Sequence, residues 1–354
     1  MPDAIPHEAL ARAVRAAFGA GARIVAAERL FGDASSRRYV RLRLADGGAP
    51  PTVVAMLLGA DRFPLGSDEL GERAASDELP FVSVARYLAA RGFPVPIIHR
   101  DAAASDSLLL LEDVGDTTLW AAASAHPADV RPLFAAAVDL LAAFQVAGAR
   151  HPDPSCLAFR RRFDGRLARW ELEHFVEHGI ETRHGRGLAA DERAGLLAAL
   201  DPLARPFEQG APVLVHRDFM AWNLHVRDGL HLIDFQDALL GPDAYDLAAL
   251  LTDRTTGTLV TAALEAELIR HFVRARAAAA LPVEGDLAAR YRLCALHRAL
   301  KVIGRFYYLE RVLGKPGYLA YLPGVYAVGR RMLAALPELA SVRSRLAAHV
   351  PELA

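Results

Sequence analysis

Apolar residues recur at helical spacing near the start of the chain. Leu10, Val14 and Phe18 share one face of a helix predicted over residues 7–18. The period then shortens. Residues 23–29 and 39–44 read as paired strands, joined by a turn at Phe31, Gly32, Asp33, Ala34, Ser35 and Ser36. Residues 52–58 form an apolar run that reads as a third strand. A helix follows over 78–91, with Pro80 in its first turn and Gly92 as its C-terminal cap. Pro94 and Pro96 open a loop, and 107–111 reads as a further buried strand. Beyond Gly115 the spacing becomes helical, over 118–124, 127–149, 159–177 and 189–200. A strand-bearing segment, 213–234, interrupts these helices, which resume at Ala244. The order predicts an α+β chain: a small β-rich N-terminal domain over 1–114 and a larger helical domain over 115–354, joined at Glu112 to Asp116.

Composition narrows the class. Hydrophobic residues make up 53% and charged residues 23%, which supplies a core and excludes global disorder. The net charge of -1 gives no reason to expect a nucleic-acid or membrane-surface partner, and no obligate protein partner is indicated. Two cysteines, Cys156 and Cys294, are too few for a disulfide framework and suit a reducing compartment. The first residues carry acids and no apolar run of the kind an export signal needs, so the cytoplasm is expected. The apolar stretch around Leu133 to Ala149 is broken by Asp139 and Gln145, which predicts a buried helix rather than a membrane span.

The densest chemistry lies in 213–234. His216-Arg217-Asp218 follows the apolar Val213-Leu214-Val215. Asn223 comes five positions after Asp218, and Asp234 another eleven beyond. This is the layout of a phosphoryl-transfer loop, with one carboxylate to orient and deprotonate a hydroxyl, then an amide and a second carboxylate to hold Mg²⁺. Those residue types are needed because the transferring group is heavily charged and Mg²⁺ takes hard oxygen ligands.

These residues, the hinge Leu110-Leu111-Glu112-Asp113-Val114 and the run Gly241-Pro242-Asp243-Ala244-Tyr245-Asp246-Leu247-Ala248 resemble the aminoglycoside phosphotransferase family. Ile233-Asp234-Phe235-Gln236-Asp237-Ala238, with Gly241-Pro242, and the stretch Gly314-Lys315-Pro316-Gly317-Tyr318-Leu319-Ala320-Tyr321-Leu322-Pro323 are similar to its branch of anomeric amino-sugar kinases, which phosphorylate N-acetylmuramate and N-acetylglucosamine in bacterial cell-wall recycling. The resemblance implies a bilobal protein-kinase-like fold and ATP and Mg²⁺ as cofactors. It makes Asp218 the catalytic base and His216 a residue that structures its loop. Asn223 and Asp234 become the magnesium ligands, and Asp246 a brace of the loop. Ser35, Ser36, Arg38, Glu112 and Val114 would meet the nucleotide. Asp237, Glu171, His174, Arg305, Tyr318 and Tyr321 are further candidates to contact the sugar, although paired polar residues and aromatics at such spacing more often belong to a solvated helix face or to packing.

One position departs from the kinase pattern. Met56 stands where a third-strand lysine would pair with the nucleotide phosphates. Arg37, Arg38 and Arg41 are the nearby cations. Arg37 and Arg38 face opposite ways on an extended strand, so only one can serve, and Arg38 is the candidate. The segment 291–331 is basic, with Arg292, Arg298, Lys301, Arg305, Arg311, Lys315, Arg330 and Arg331 against Glu310, which favours a neutral or anionic acceptor over a polycationic one. Alternatives are transfer to another alcohol, such as an aminoglycoside or homoserine, and a nucleotide-binding pseudokinase.

Overall fold

The computed structural model describes residues 5–30, 37–46, 48–59 and 78–354. The predicted turn with Gly32, Ser35 and Ser36 lies outside the described residues. The chain forms two compact units, Met1–Asp116 with His225–Gln236, and Thr117–Leu224 with Asp237–Ala354.

The first unit is built on a five-stranded antiparallel sheet. Its strands are β1 (Arg23–Leu30), β2 (Arg38–Ala45), β3 (Thr52–Leu57), β4 (Ile98–Ala102) and β5 (Leu108–Glu112), in the order β1-β2-β3-β5-β4. The helix His7–Phe18 sets Leu10 and Val14 against Val40, Leu42, Val53, Ala55, Leu57, Leu108 and Leu110. Each such aliphatic side chain contributes about 1.5–3 kcal/mol when fully buried. Alternation then turns the intervening residues Tyr39, Arg41 and Met56 to the opposite face of the sheet. Strand β4 is absent from the sequence prediction. Its residues, Ile98-His99-Arg100-Asp101-Ala102, carry no alternating apolar pattern, and the strand exists because β5 offers it an edge.

The first unit also takes in a distant piece of chain. The hairpin of Leu224–Val226 and Leu230–Leu232 leads into Phe235. Leu232 N donates to Pro94 O (2.7 Å), His225 Nδ1 meets Gly115 O (2.8 Å), and the Arg227 guanidinium donates to Asp113 O. Phe235 packs on Phe81 with ring centres 4.8 Å apart. A division at residue 114 leaves this stretch with the helices, whereas it packs in the first unit.

The second unit is helical. Pro127–Arg150 is long and apolar enough to cross a membrane by length and composition alone. Here it is a core helix, and its Gln145 donates to Asp243 O (2.9 Å) and accepts from Arg276 (3.0 Å). The helix Leu287–Tyr307 buries Cys294, Leu296, Leu300 and Ile303, and brings Arg298 and Lys301 into the unit. The helix predicted over 159–177 is really three pieces. Leu157–Arg160 is a 3₁₀ turn. Asp164 then caps the helix Gly165–His174, accepting from Leu167 N at 3.0 Å, and the chain continues as a π-helix over Phe175–Thr182. Both cysteines are buried and are not joined in a disulfide.

Candidate active site

The H-R-D loop is held by main-chain bonds before any side chain acts. Strand Val213–Val215 pairs antiparallel with Leu239–Gly241 and delivers the chain to His216. Arg217 then takes a left-handed conformation, φ 74°, which turns the chain sharply. Asp246, in the first turn of the helix Tyr245–Leu251, accepts from His216 N through Oδ2 (2.6 Å) and from Arg217 N through Oδ1 (3.0 Å). Burial pushes the Asp246 carboxyl up to about 7, although the two N–H bonds pull the other way. The His216 ring is fully buried and its Nδ1 accepts from Asp218 N (3.3 Å), which leaves the proton on Nε2. Asn223 Nδ2 donates back to Asp218 O (2.8 Å), so its amide oxygen remains as a ligand atom.

Asp218 sits among cations. Arg298, 4% exposed, donates to Asp218 Oδ1 (3.3 Å) and to Arg217 O (3.1 Å). Burial raises the Asp218 carboxyl, but the charges of Arg298, Lys301 and Arg217 together outweigh it and hold the group well below the usual carboxylate range. Its side chain is 36% exposed, so a ligand can reach it. The cations are themselves tied down. Glu171 Oε1 takes Arg217 Nη2 and Lys301 Nζ, each at 2.8 Å. Glu171 is 2% exposed, so it supports the loop from within rather than facing a sugar as its spacing with His174 suggests. His297 Nε2 donates to Ala168 O (3.0 Å), and burial lowers its pKa.

Asp234 belongs to the first unit. It too is left-handed, φ 62°, and its Oδ1 accepts from Gln236 Nε2 (2.8 Å). Arg37, rather than Arg38, approaches it, with Nη2 at 3.9 Å from Oδ1. The strand register explains this, since Arg37 shares the face of Tyr39 and Arg41 while Arg38 is exposed on the other. Burial drives the Tyr39 hydroxyl up to about 12 despite the Arg37 charge beside it. Met56, 1% exposed, lies opposite Tyr39 and is packing in that face. Arg41 is committed elsewhere, chelated by Asp113 (2.7 Å) and Asp116 (2.7 Å). Glu112 ends β5 and accepts from Ile97 N (3.3 Å), and Val114 is buried in the turn that follows. Ser35 and Ser36 lie outside the described residues.

The remaining predicted residues fall into two groups of the second unit. His174 and Arg305 gather around Tyr308, at 5.3 Å ring to ring and 5.3 Å guanidinium to ring. Tyr318 and Tyr321 pack on Phe306, with centres 5.5 and 6.2 Å apart. Asp237 lies within electrostatic reach of Arg217. Sequence reasoning passed over Arg298 and Lys301 as site residues, although their three-residue spacing placed them one helical turn apart on one face. It also missed His174-x-x-Glu177-His178, whose ligand-type atoms lie within 4.8 Å of one another.

Asn223 Oδ1 and the Asp234 carboxylate are hard oxygen donors, the first oriented by its own Nδ2 donating to Asp218 O and the second by Gln236 Nε2. Each is a donor of the kind magnesium takes.

Residues 27–281 match the phosphotransferase enzyme family. The chain is 33% identical over 327 residues to the N-acetylmuramate/N-acetylglucosamine kinase of Caulobacter vibrioides, covering 84% of each. It is 35% identical over 269 residues to the protein of the same name from Pseudomonas putida, covering 71% of this chain and 74% of that one. The structure resembles that of the spectinomycin phosphotransferase APH(9)-Ia in complex with ADP and spectinomycin. The TM-score is 0.60 at 13% identity, over 94% of this chain and 99% of that one, which is a likeness of fold. The protein-kinase-like class expected from the sequence is the observed one.

Proposed function

Because this chain belongs to the phosphotransferase enzyme family, we propose that it is an ATP- and Mg²⁺-dependent kinase of the anomeric hydroxyl of N-acetylmuramate and N-acetylglucosamine. The observation that carries the reading is Asp218. It is reachable from solvent, held ionised by Arg298, and set on a loop pinned by Asp246.

In this reading the sugar's anomeric O–H donates to an Asp218 oxygen. The anomeric oxygen bonds to the γ-phosphorus as the bond from that phosphorus to the β–γ bridging oxygen breaks. ADP leaves, and the proton passes to Asp218 late, since so depressed a carboxyl is a weak base and acts first by orienting the hydroxyl. Asn223 and Asp234 are the residues that would hold magnesium, which would supply charge neutralisation to the phosphates. Arg37 adds a cation beside Asp234, in place of the lysine that Met56 displaces. ATP and Mg²⁺ make the cytoplasm the compartment the reading requires. The basic segment 291–331 favours a neutral or anionic acceptor over an aminoglycoside.

The test is a coupled ADP-release assay with N-acetylmuramate, N-acetylglucosamine, kanamycin and homoserine. Turnover on the two amino sugars, with an acid-labile product phosphate as expected at the anomeric carbon, supports the reading. Turnover confined to kanamycin or homoserine sinks it.

A further inference from the structure

We propose that Asp253 and Arg254 form the acceptor-recognition pair of the second unit, Asp253 taking a hydroxyl or amide donor of the amino sugar and Arg254 its carboxylate. The inference rests on the amino-sugar reading and names residues that would carry it out.

Both residues come just after Thr252, the C-cap of the helix Tyr245–Leu251, whose Asp246 braces the H-R-D loop. Asp253 is 6% exposed, and its carboxylate accepts from the backbone N of Arg254. No donor among the described residues meets its Oδ2. The hydroxyl of Thr256, wholly buried three residues on, is in the same position. A buried acceptor left unmatched costs about 1–3 kcal/mol, so such atoms in a native fold call for an explanation. Arg298 and Asp218 both lie within electrostatic reach of Asp253, which puts its open oxygen in the neighbourhood of the carboxylate that meets the reacting hydroxyl. A sugar hydroxyl or an acetamido N–H supplies the kind of donor that Oδ2 lacks.

Arg254 is half-buried and lies over three rings, Tyr321 at 4.6 Å, Trp222 at 5.5 Å and Phe306 at 5.7 Å. Trp222 belongs to the H-R-D loop itself, four positions after Asp218. It is fixed by Nε1 donating to Thr255 Oγ1 (3.0 Å) and by stacking on Trp120, centres 4.7 Å apart. A guanidinium held on aromatic faces presents its N–H fork edgewise, the geometry that grips a carboxylate with two parallel bonds. Between the two candidate sugars only N-acetylmuramate carries a carboxylate, so Arg254 would set the preference between them, whereas Asp253 would serve both.

The experiment measures kcat and KM on both sugars for the wild type, Asp253→Ala, Asp253→Asn, Arg254→Ala and Arg254→Lys, with ADP affinity by equilibrium titration. Asp253→Ala is expected to raise KM for both sugars by about tenfold or more while ADP affinity holds. Asp253→Asn, which keeps the volume and one acceptor oxygen, should do so less, and it stands in should the alanine variant fail to fold. Arg254→Ala and Arg254→Lys should each lower the efficiency ratio of N-acetylmuramate to N-acetylglucosamine by about tenfold, the lysine because it loses the fork. Unchanged sugar KM in both Asp253 variants, or an Arg254→Ala that weakens the two sugars equally, overturns the pair. A wild type active on neither sugar overturns the amino-sugar reading and the pair with it, and so is distinguishable from failure of the pair alone.

Discussion

At the scale of the residue, the decisive positions are those where a charge has no freedom left. Asp218 is oriented by Arg298 and kept ionised by three cations. Asp218→Asn is expected to lower kcat by about 10²–10⁴-fold with little change in unfolding temperature, since the amide keeps the shape but not the acceptor charge. Retention of most of kcat would remove Asp218 from the chemistry. The geometry of the H-R-D loop was legible in the sequence because spacing alone brings Asp218 and Asn223 together within a five-residue loop. The cation beside Asp234 was not. Parity says only that Arg37 and Arg38 oppose each other, and the packed face was settled by Val40 and Leu42 entering the core. Arg37→Ala should therefore raise KM for ATP by about tenfold, on the order of 1.4 kcal/mol, and Arg38→Ala should have a smaller effect. Steady-state ATP kinetics decide between them, and a larger effect at Arg38 restores the assignment made from sequence.

At the scale of the element, helices and strands with clean periodicity were readable and junctions were not. β4 lacked alternation, and the π-helix Phe175–Thr182 keeps an apolar spacing that reads as continued α-helix. That segment packs against Leu287–Tyr307, the helix that carries Arg298 and Lys301. Gly304 lets the two approach, as a Cβ there would stand 2.7 Å from Phe175 Cα. Gly304→Ala should cost about 1–3 kcal/mol of stability, seen as a lower unfolding temperature, because backbone must shift to make room. An unchanged transition would mean the contact is loose. His174 closes the preceding α-helix, and burial, with the charges of His178 and Arg305, pushes its imidazole down to about 4 from an ordinary 6.5. Above pH 6.5 the ring is neutral in both the folded and unfolded chain. Between 6.5 and 4 only the unfolded chain takes up the proton, so stability falls as the pH is lowered through that window. Unfolding temperatures measured from pH 7 to 4.5 should show a smaller drop in His174→Gln than in the wild type, and equal slopes would rule out this contribution.

At the scale of the whole molecule, the class of fold was legible and the path of the chain was not. Runs of strands followed by helices place a β-rich part before a helical part. Nothing in periodicity reveals that 225–236 returns to the first unit, because a short hairpin carries no address of its own. The return is specified by particular partners, Leu232 N on Pro94 O, His225 on Gly115 O and Phe235 on Phe81. A fragment ending at Asp116 lacks all of them. It exposes Phe81, which is 6% exposed in the intact chain, and leaves the Pro94 and Gly115 carbonyls without these donors. Loss of a buried aromatic contact and of hydrogen bonds from a unit this small removes several kcal/mol, comparable to the net stability of a domain. The fragment 1–116 should therefore show no cooperative thermal transition by circular dichroism. The same fragment followed by a short Gly/Ser linker and residues 225–236 should regain one. The linker can be short because His225 lies 2.8 Å from the Gly115 carbonyl through its ring nitrogen. Cooperative melting of 1–116 alone at the temperature of the linked form would show that the sheet and its helix suffice, and that the returning hairpin is carried by the first unit without stabilising it.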